Sequence, residues 1–127
     1  MEVLKSNRIY VAPGDFHMEI VKKGTDLFVA LNKNPPRNSV RPAVDVLFES
    51  AAEHFGQRTM AFVLTGMGED GLIGARAIKV KGGGVMIQDK ASFVVFGMPG
   101  AIFAEELFDA MGGLSEINQV IKRMTNS

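Results

Sequence analysis

An α/β fold built on a largely parallel sheet is what this sequence predicts, on three observations. Thr59–Leu64 (TMAFVL) is a continuous apolar run, the pattern of a strand covered on both faces. The stretch from about Asp70 to Val80 reads as a helix that stops before Gly82-Gly83-Gly84. Val85–Gln88 (VMIQ) is then the next strand, so strand, helix and strand follow one another as a βαβ unit. The expected architecture is a doubly wound, mostly parallel sheet with helices on both faces, preceded by a β-hairpin near the amino terminus.

The other elements follow in order. Met1–Asn7 is polar, yet Ile9–Ala12 (IYVA) has the composition of a short buried strand ending at the Pro13-Gly14 turn. A strand that early needs neighbours, from later segments or from outside these residues. Met18–Lys22 and Leu27–Leu31 read as a hairpin around Lys23-Gly24-Thr25-Asp26, with Gly24 free to take a positive φ. Asn32–Val40 is a polar loop whose Pro35-Pro36 cannot continue a ladder. Val44, Leu47, Phe48, Ala51 and Phe55 then form one apolar helical stripe, with Pro42 suited to the first turn and Gly56 to the end. Beyond the βαβ unit, Lys90–Pro99 is apolar and turn-bounded, Pro99 can open a helix to about Glu106, and Leu107–Met111 suits a last strand. Gly112-Gly113 breaks the chain before a closing helix capped by Ser115, in which Ile117, Val120, Ile121 and Met124 share a face.

Composition narrows the function. The 127 residues suit a single domain, and 46% hydrophobic with 22% charged residues is ordinary globular usage. Fourteen basic and fourteen acidic side chains balance, so nothing points to nucleic acid or an anionic membrane surface. The lack of cysteine removes disulfides and thiolate chemistry, and His17 and His54 have no metal-ligand spacing. No cofactor or metal is expected. No apolar run is long enough to cross a bilayer, and the start lacks a signal-peptide core, so a cytoplasmic protein is expected.

The chemistry is expected in Met60–Gly71 (MAFVLTGMGEDG), where a strand runs into a glycine-punctuated turn that opens a helix. Ligands in open α/β sheets sit beyond the carboxyl ends of strands. Gly66-x-Gly68-x-x-Gly71 matches the dinucleotide fingerprint, and Asp89 past the next strand could take a ribose hydroxyl. Against that, Glu69 and Asp70 put two carboxylates where a pyrophosphate would sit, a like-charge clash. A plainer reading has Asp70 capping the helix that follows it and Glu69 solvated in its first turn. A third has Asp70 ionised and held by backbone amides, accepting the Nδ1–H of a histidine during acyl transfer. Ser6, Ser39, Ser50, Ser92, Ser115 and Ser127 include none in a GxSxG elbow that would complete such a site.

Four segments carry a family resemblance: APGDFHMEI at Ala12–Ile20, RPAVDVLF at Arg41–Phe48, LTGMGEDG at Leu64–Gly71 and VVFGMP at Val94–Pro99. In order and spacing the chain resembles the later part of the catalytic domain of CheB-type chemotaxis protein-glutamate methylesterases. The resemblance implies hydrolysis of glutamate methyl esters, and deamidation of glutamines, on the cytoplasmic helices of chemoreceptors by a Ser-His-Asp mechanism. The acid of that triad lies in TGMGxDG and carries over to Asp70. Gly66, Met67 and Gly68 would line the active-site floor. The family's serine, in a GxSTGG turn, and its histidine, in a QHM-like segment, precede the region corresponding to Met1, and neither motif occurs here. The resemblance therefore implies an incomplete domain, inactive alone, whose absent partners are the amino-terminal half and a receiver domain. A non-catalytic fold fragment or interaction module is the competing expectation.

The other candidates read more plainly. His17 lies outside the family's catalytic histidine segment and is expected to be structural or at the surface, and His54 to face solvent. Arg37 and Arg41 are expected as exposed charges without partners, although they could hold acidic receptor surface. Gly97-Met98-Pro99 suits a close backbone approach near the site.

Overall fold

Two three-stranded sheets divide the strands between them. The computed structural model describes residues 1–64, 70–89, 102 and 107–125. In the first sheet β1 (Glu2–Val3), β2 (His17–Lys23) and β3 (Asp26–Asn32) lie antiparallel in the order β1-β3-β2. In the second, β4 (Met60–Val63), β5 (Gly84–Gln88) and β6 (Ala110–Gly112) lie parallel in the order β4-β5-β6. The helices are α1 (Val44–Phe55), α2 (Leu72–Val80) and α3 (Leu114–Thr125). The α/β class, the parallel βαβ unit β4-α2-β5 and the hairpin all stand as the sequence predicts.

The hairpin pairs His17 with Asn32 through to Lys23 with Asp26, and Gly24 turns the chain at φ 65°. On the edge of β2 away from β3, the Ile20 N–H goes to Ser50 Oγ at 2.9 Å, and that hydroxyl donates to Leu47 O at 2.8 Å. Ser50 therefore ties α1 to the hairpin by satisfying an edge amide that the ladder leaves over. It is a structural serine.

Ile9–Ala12 is not a strand. Ile9 is 94% exposed, and Tyr10 Oη accepts the Lys5 N–H and donates to Val3 O, folding the segment back toward β1. The first strand is Glu2–Val3, which reads as polar. An apolar pattern shows that a segment can be covered, but an available partner edge decides whether it pairs.

The core of the parallel sheet is made by Ala61 and Val63 of β4, Val85 and Ile87 of β5, Ala52 of α1, Ala75 and Ile78 of α2, and Ile102. Helices α1 and α2 pack closely because Gly74 has no side chain. A Cβ there would stand 2.5 Å from Phe48 Cβ and 3.2 Å from Asp45 Cα.

Three boundaries differ from expectation. Pro42 precedes the α1 N-cap, Ala43, and is not in the first turn. The last strand is Ala110–Gly112, because Leu107 and Phe108 pack against the core instead. Asp109 leads into that strand, donating its backbone N–H to Val85 O of β5 and accepting the Val85 N–H on its carboxylate. Helix α3 begins at Leu114, one residue before the expected cap. Gly113 O takes the first helical bond, from Ile117 N, and Glu116 reaches back to the Gly113 N–H at 3.3 Å, so Ser115 lies inside the first turn. The expected Pro99–Glu106 helix lies outside the described residues apart from buried Ile102.

Candidate active site

Neither α1 nor α2 carries its own cap. Ala43 and Gly71 stand at the N-cap positions, where a serine, threonine or aspartate would normally accept a first-turn N–H. Each helix takes its cap from the other. Asp70, in the turn entering α2, accepts the Val44 N–H on Oδ2 at 2.6 Å and the Asp45 N–H on Oδ1 at 3.1 Å. Asp45, in the first turn of α1, accepts the Gly71 and Gly74 N–H groups on Oδ1 at 3.0 and 2.7 Å. The plain reading of Asp70 as a cap is thus correct in kind and wrong in target, since it caps the preceding helix. Gly71, at φ 102°, supplies the left-handed backbone that α2 needs at its start.

Both carboxylates are buried, Asp70 to 6% exposure and Asp45 to 1%. Two anions side by side would repel strongly away from water. The positive ends of two helices and four backbone N–H bonds offset that cost. Asn38 supplies the remaining link: its side-chain Nδ2 donates to Asp45 Oδ2 at 2.8 Å and to Asp70 Oδ1 at 3.0 Å. Asn38 and Ser39 adopt φ 57° and 65° at the tip of a tight turn closed by two Arg37–Val40 backbone bonds. Asparagine tolerates this left-handed backbone better than most residues. The Arg37 guanidinium is ion-paired with Glu49 and raised above its ordinary value, first by that pairing, with Asp45 and Asp70 adding to the field.

His17 completes the start of α1. Its Nδ1 accepts the Ala43 N–H at 3.2 Å, so the proton sits on Nε2, which donates to Pro35 O at 3.0 Å. Both ring nitrogens are committed to backbone and the ring is buried, so His17 is structural. His54, expected in solvent, has a side chain only 17% exposed. Arg37 and Arg41 are not free charges. Arg41 pairs with Asp15 and donates to Lys33 O and Asn34 O, holding the loop that precedes α1.

An ionised carboxylate offers about four acceptor positions. Among the described residues Asp70 uses two on Oδ1 and one on Oδ2, leaving an Oδ2 position for a further donor. Gly66, Met67, Gly68 and Glu69, and the Gly97-Met98-Pro99 segment, lie outside the described residues. At the start of α2, where a dinucleotide pyrophosphate would bind, the Gly71 and Gly74 amides already serve Asp45. Asp89 donates its backbone N–H to Gly112 O, extending the β5–β6 ladder. No three His, Asp or Glu side chains converge as a metal site among the described residues.

The family model for CheB methylesterase matches residues 1–121. The chain belongs to the CheB methylesterase family. It is 48% identical over 123 residues to a protein-glutamate methylesterase/protein-glutamine glutaminase 1 of Paramagnetospirillum magneticum, covering 97% of this chain and 32% of that protein. It is 41% identical to a protein-glutamate methylesterase/protein-glutamine glutaminase of Trichodesmium erythraeum, covering 97% of this chain and 35% of that one. The crystal structure of the Thermotoga maritima CheB methylesterase catalytic domain superposes with a TM-score of 0.91 at 39% identity, covering 97% of this chain and 65% of that chain. The chain therefore spans about a third of the length of these curated CheB-family relatives. Among the described residues no helix is long and apolar enough to cross a membrane.

Sequence reasoning singled out Asp70 and missed Asn38 and Asp45. A signal for both was present. Alanine and glycine at the two N-cap positions leave orphan amides that a neighbouring acid must satisfy, and Asn38-Ser39 suits a two-residue left-handed turn.

Proposed function

We propose that residues 1–127 are one folding unit, the later part of a CheB-type catalytic domain, and that Asp70 is the orienting acid of a protein-glutamate methylesterase and glutaminase. The observation that carries this reading is the buried Asp70 carboxylate, fixed by three N–H donors and, among the described residues, retaining one acceptor position on Oδ2. By the family resemblance, the serine and histidine come from the part of the domain that precedes these residues in relatives. The imidazole donates Nδ1–H to Asp70 and takes the serine proton on its other nitrogen. The serine Oγ attacks the glutamyl carbonyl, methanol leaves the ester (ammonia leaves a glutamine), and water then releases the acyl group. Asp70 stabilises the imidazolium formed in each half-reaction. His17 is unsuited to be the base, since it offers no free nitrogen. Gly66, Met67 and Gly68 line the floor on the same reading. The partners are the methylated cytoplasmic helices of chemoreceptors, the serine- and histidine-bearing remainder of the domain and a receiver domain, in the cytoplasm.

The test is hydrolysis of methylated chemoreceptor fragments. The 127 residues alone give no turnover, and joined to the remainder of the catalytic domain they give robust turnover that Asp70→Asn suppresses. Turnover by the 127 residues alone that survives Asp70→Asn overturns the proposal.

A further inference from the structure

A carboxylate that orients an imidazole must itself be held in one plane, and two buried anions side by side are poorly suited to that unless something joins them. Asp45 and Asp70 are joined by one group. The Asn38 amide has two hydrogens, and its Nδ2 reaches Asp45 Oδ2 at 2.8 Å and Asp70 Oδ1 at 3.0 Å. With the Asp45 N–H, it fills both acceptor positions of Asp70 Oδ1, so a further donor is directed to Oδ2. The turn that presents the amide has left-handed backbone at both central residues and is closed by two cross-turn hydrogen bonds.

We infer that Asn38 is a positioning residue: its side chain bridges the two buried carboxylates, holds the Asp70 plane and leaves Oδ2 as the acceptor for the catalytic imidazole. This rests on the assignment of Asp70 as the orienting acid. Without the bridge, Oδ1 gains an open acceptor position that competes for the imidazole proton, and the Asp45–Asp70 repulsion loses a shared donor. The loss falls on turnover, because it misplaces a group that acts in the transition state.

The test uses the complete esterase containing these residues, with methylated receptor fragments as substrate. Asn38→Gly keeps the left-handed backbone and removes only the amide. Ser39→Gly relaxes the neighbouring left-handed position without touching either carboxylate. Asn38→Gly is expected to lower kcat roughly tenfold to a hundredfold with KM unchanged, and Ser39→Gly to match the parent. Asn38→Gly combined with Asp70→Asn is expected to be no slower than Asp70→Asn alone, because the amide acts through that carboxylate. Melting curves on each variant confirm folding. If Asp70→Asn is impaired while Asn38→Gly keeps the parent kcat, or if the two losses multiply, this inference alone is overturned. If Asp70→Asn retains the parent kcat, the assignment of Asp70 falls and this inference with it.

Discussion

Asp45 and Asp70 perform the same structural task on each other's helices. Each is buried, each accepts three N–H bonds, and each shares the Asn38 amide. They differ in where they stand. Asp45 lies within the first turn of α1, facing the close α1–α2 contact at Gly74. Asp70 lies in the turn that follows β4, beyond the carboxyl end of a parallel strand, where α/β proteins place their chemistry. Capping a helix does not exclude the proposed role of orienting a histidine: among the described residues three acceptor positions of Asp70 serve the fold, and one on Oδ2 is left over.

The largest effect expected from that contrast is catalytic. In the complete esterase, Asp70→Asn should lower kcat by about ten-thousandfold, whereas Asp45→Asn should show its cost chiefly as a lower melting temperature. Equal losses of kcat for the two would erase the distinction. Stability comes next. Asp45→Ala leaves the Gly71 and Gly74 amides buried without a partner, and urea unfolding should read a loss of about 2–5 kcal/mol. Gly74→Ala follows, at about 1–3 kcal/mol, despite the gain that alanine normally brings to a helix. The added Cβ meets Phe48 Cβ, so Phe48→Ala in the same chain should recover part of the loss if the clash is the cause.

The smallest effect is a pH dependence away from the site. Burial pushes the Asp109 carboxyl up, but the Lys79 ammonium and the Val85 N–H outweigh it, holding it below its ordinary value of 3.8. A carboxyl lowered in the folded state adds stability that is present above about pH 3.8 and is lost as the pH falls through the folded value. Asp109→Asn should flatten that acid limb in thermal melts. An unchanged limb would assign the acid sensitivity to groups other than Asp109.

Much of the fold was legible in the sequence because its signals are local. The α1 stripe, the Gly24 hairpin and the glycine break before β5 each depend on residues within one element or turn, and each appears where expected. Ile9–Ala12 failed because pairing needs a partner edge, and composition does not report one. The start of α3 moved by a residue because Gly113 and Glu116 together outcompete a serine cap. At the site, sequence pattern and resemblance led to Asp70, while the plain reading of it as a cap chose the wrong helix.

The amino-acid sequence by itself determined the α/β class, the βαβ unit and the family to which the chain belongs, because periodicity and motif are written along the chain. Only the tertiary structure decided that two helices without caps of their own exchange carboxylates across Gly74, and that Asn38 joins the pair. Apart from the Asn38–Asp45 bond, those bonds link residues 25 to 32 positions apart. Their formation depends on two helix starts meeting in a buried space where every amide must find an acceptor.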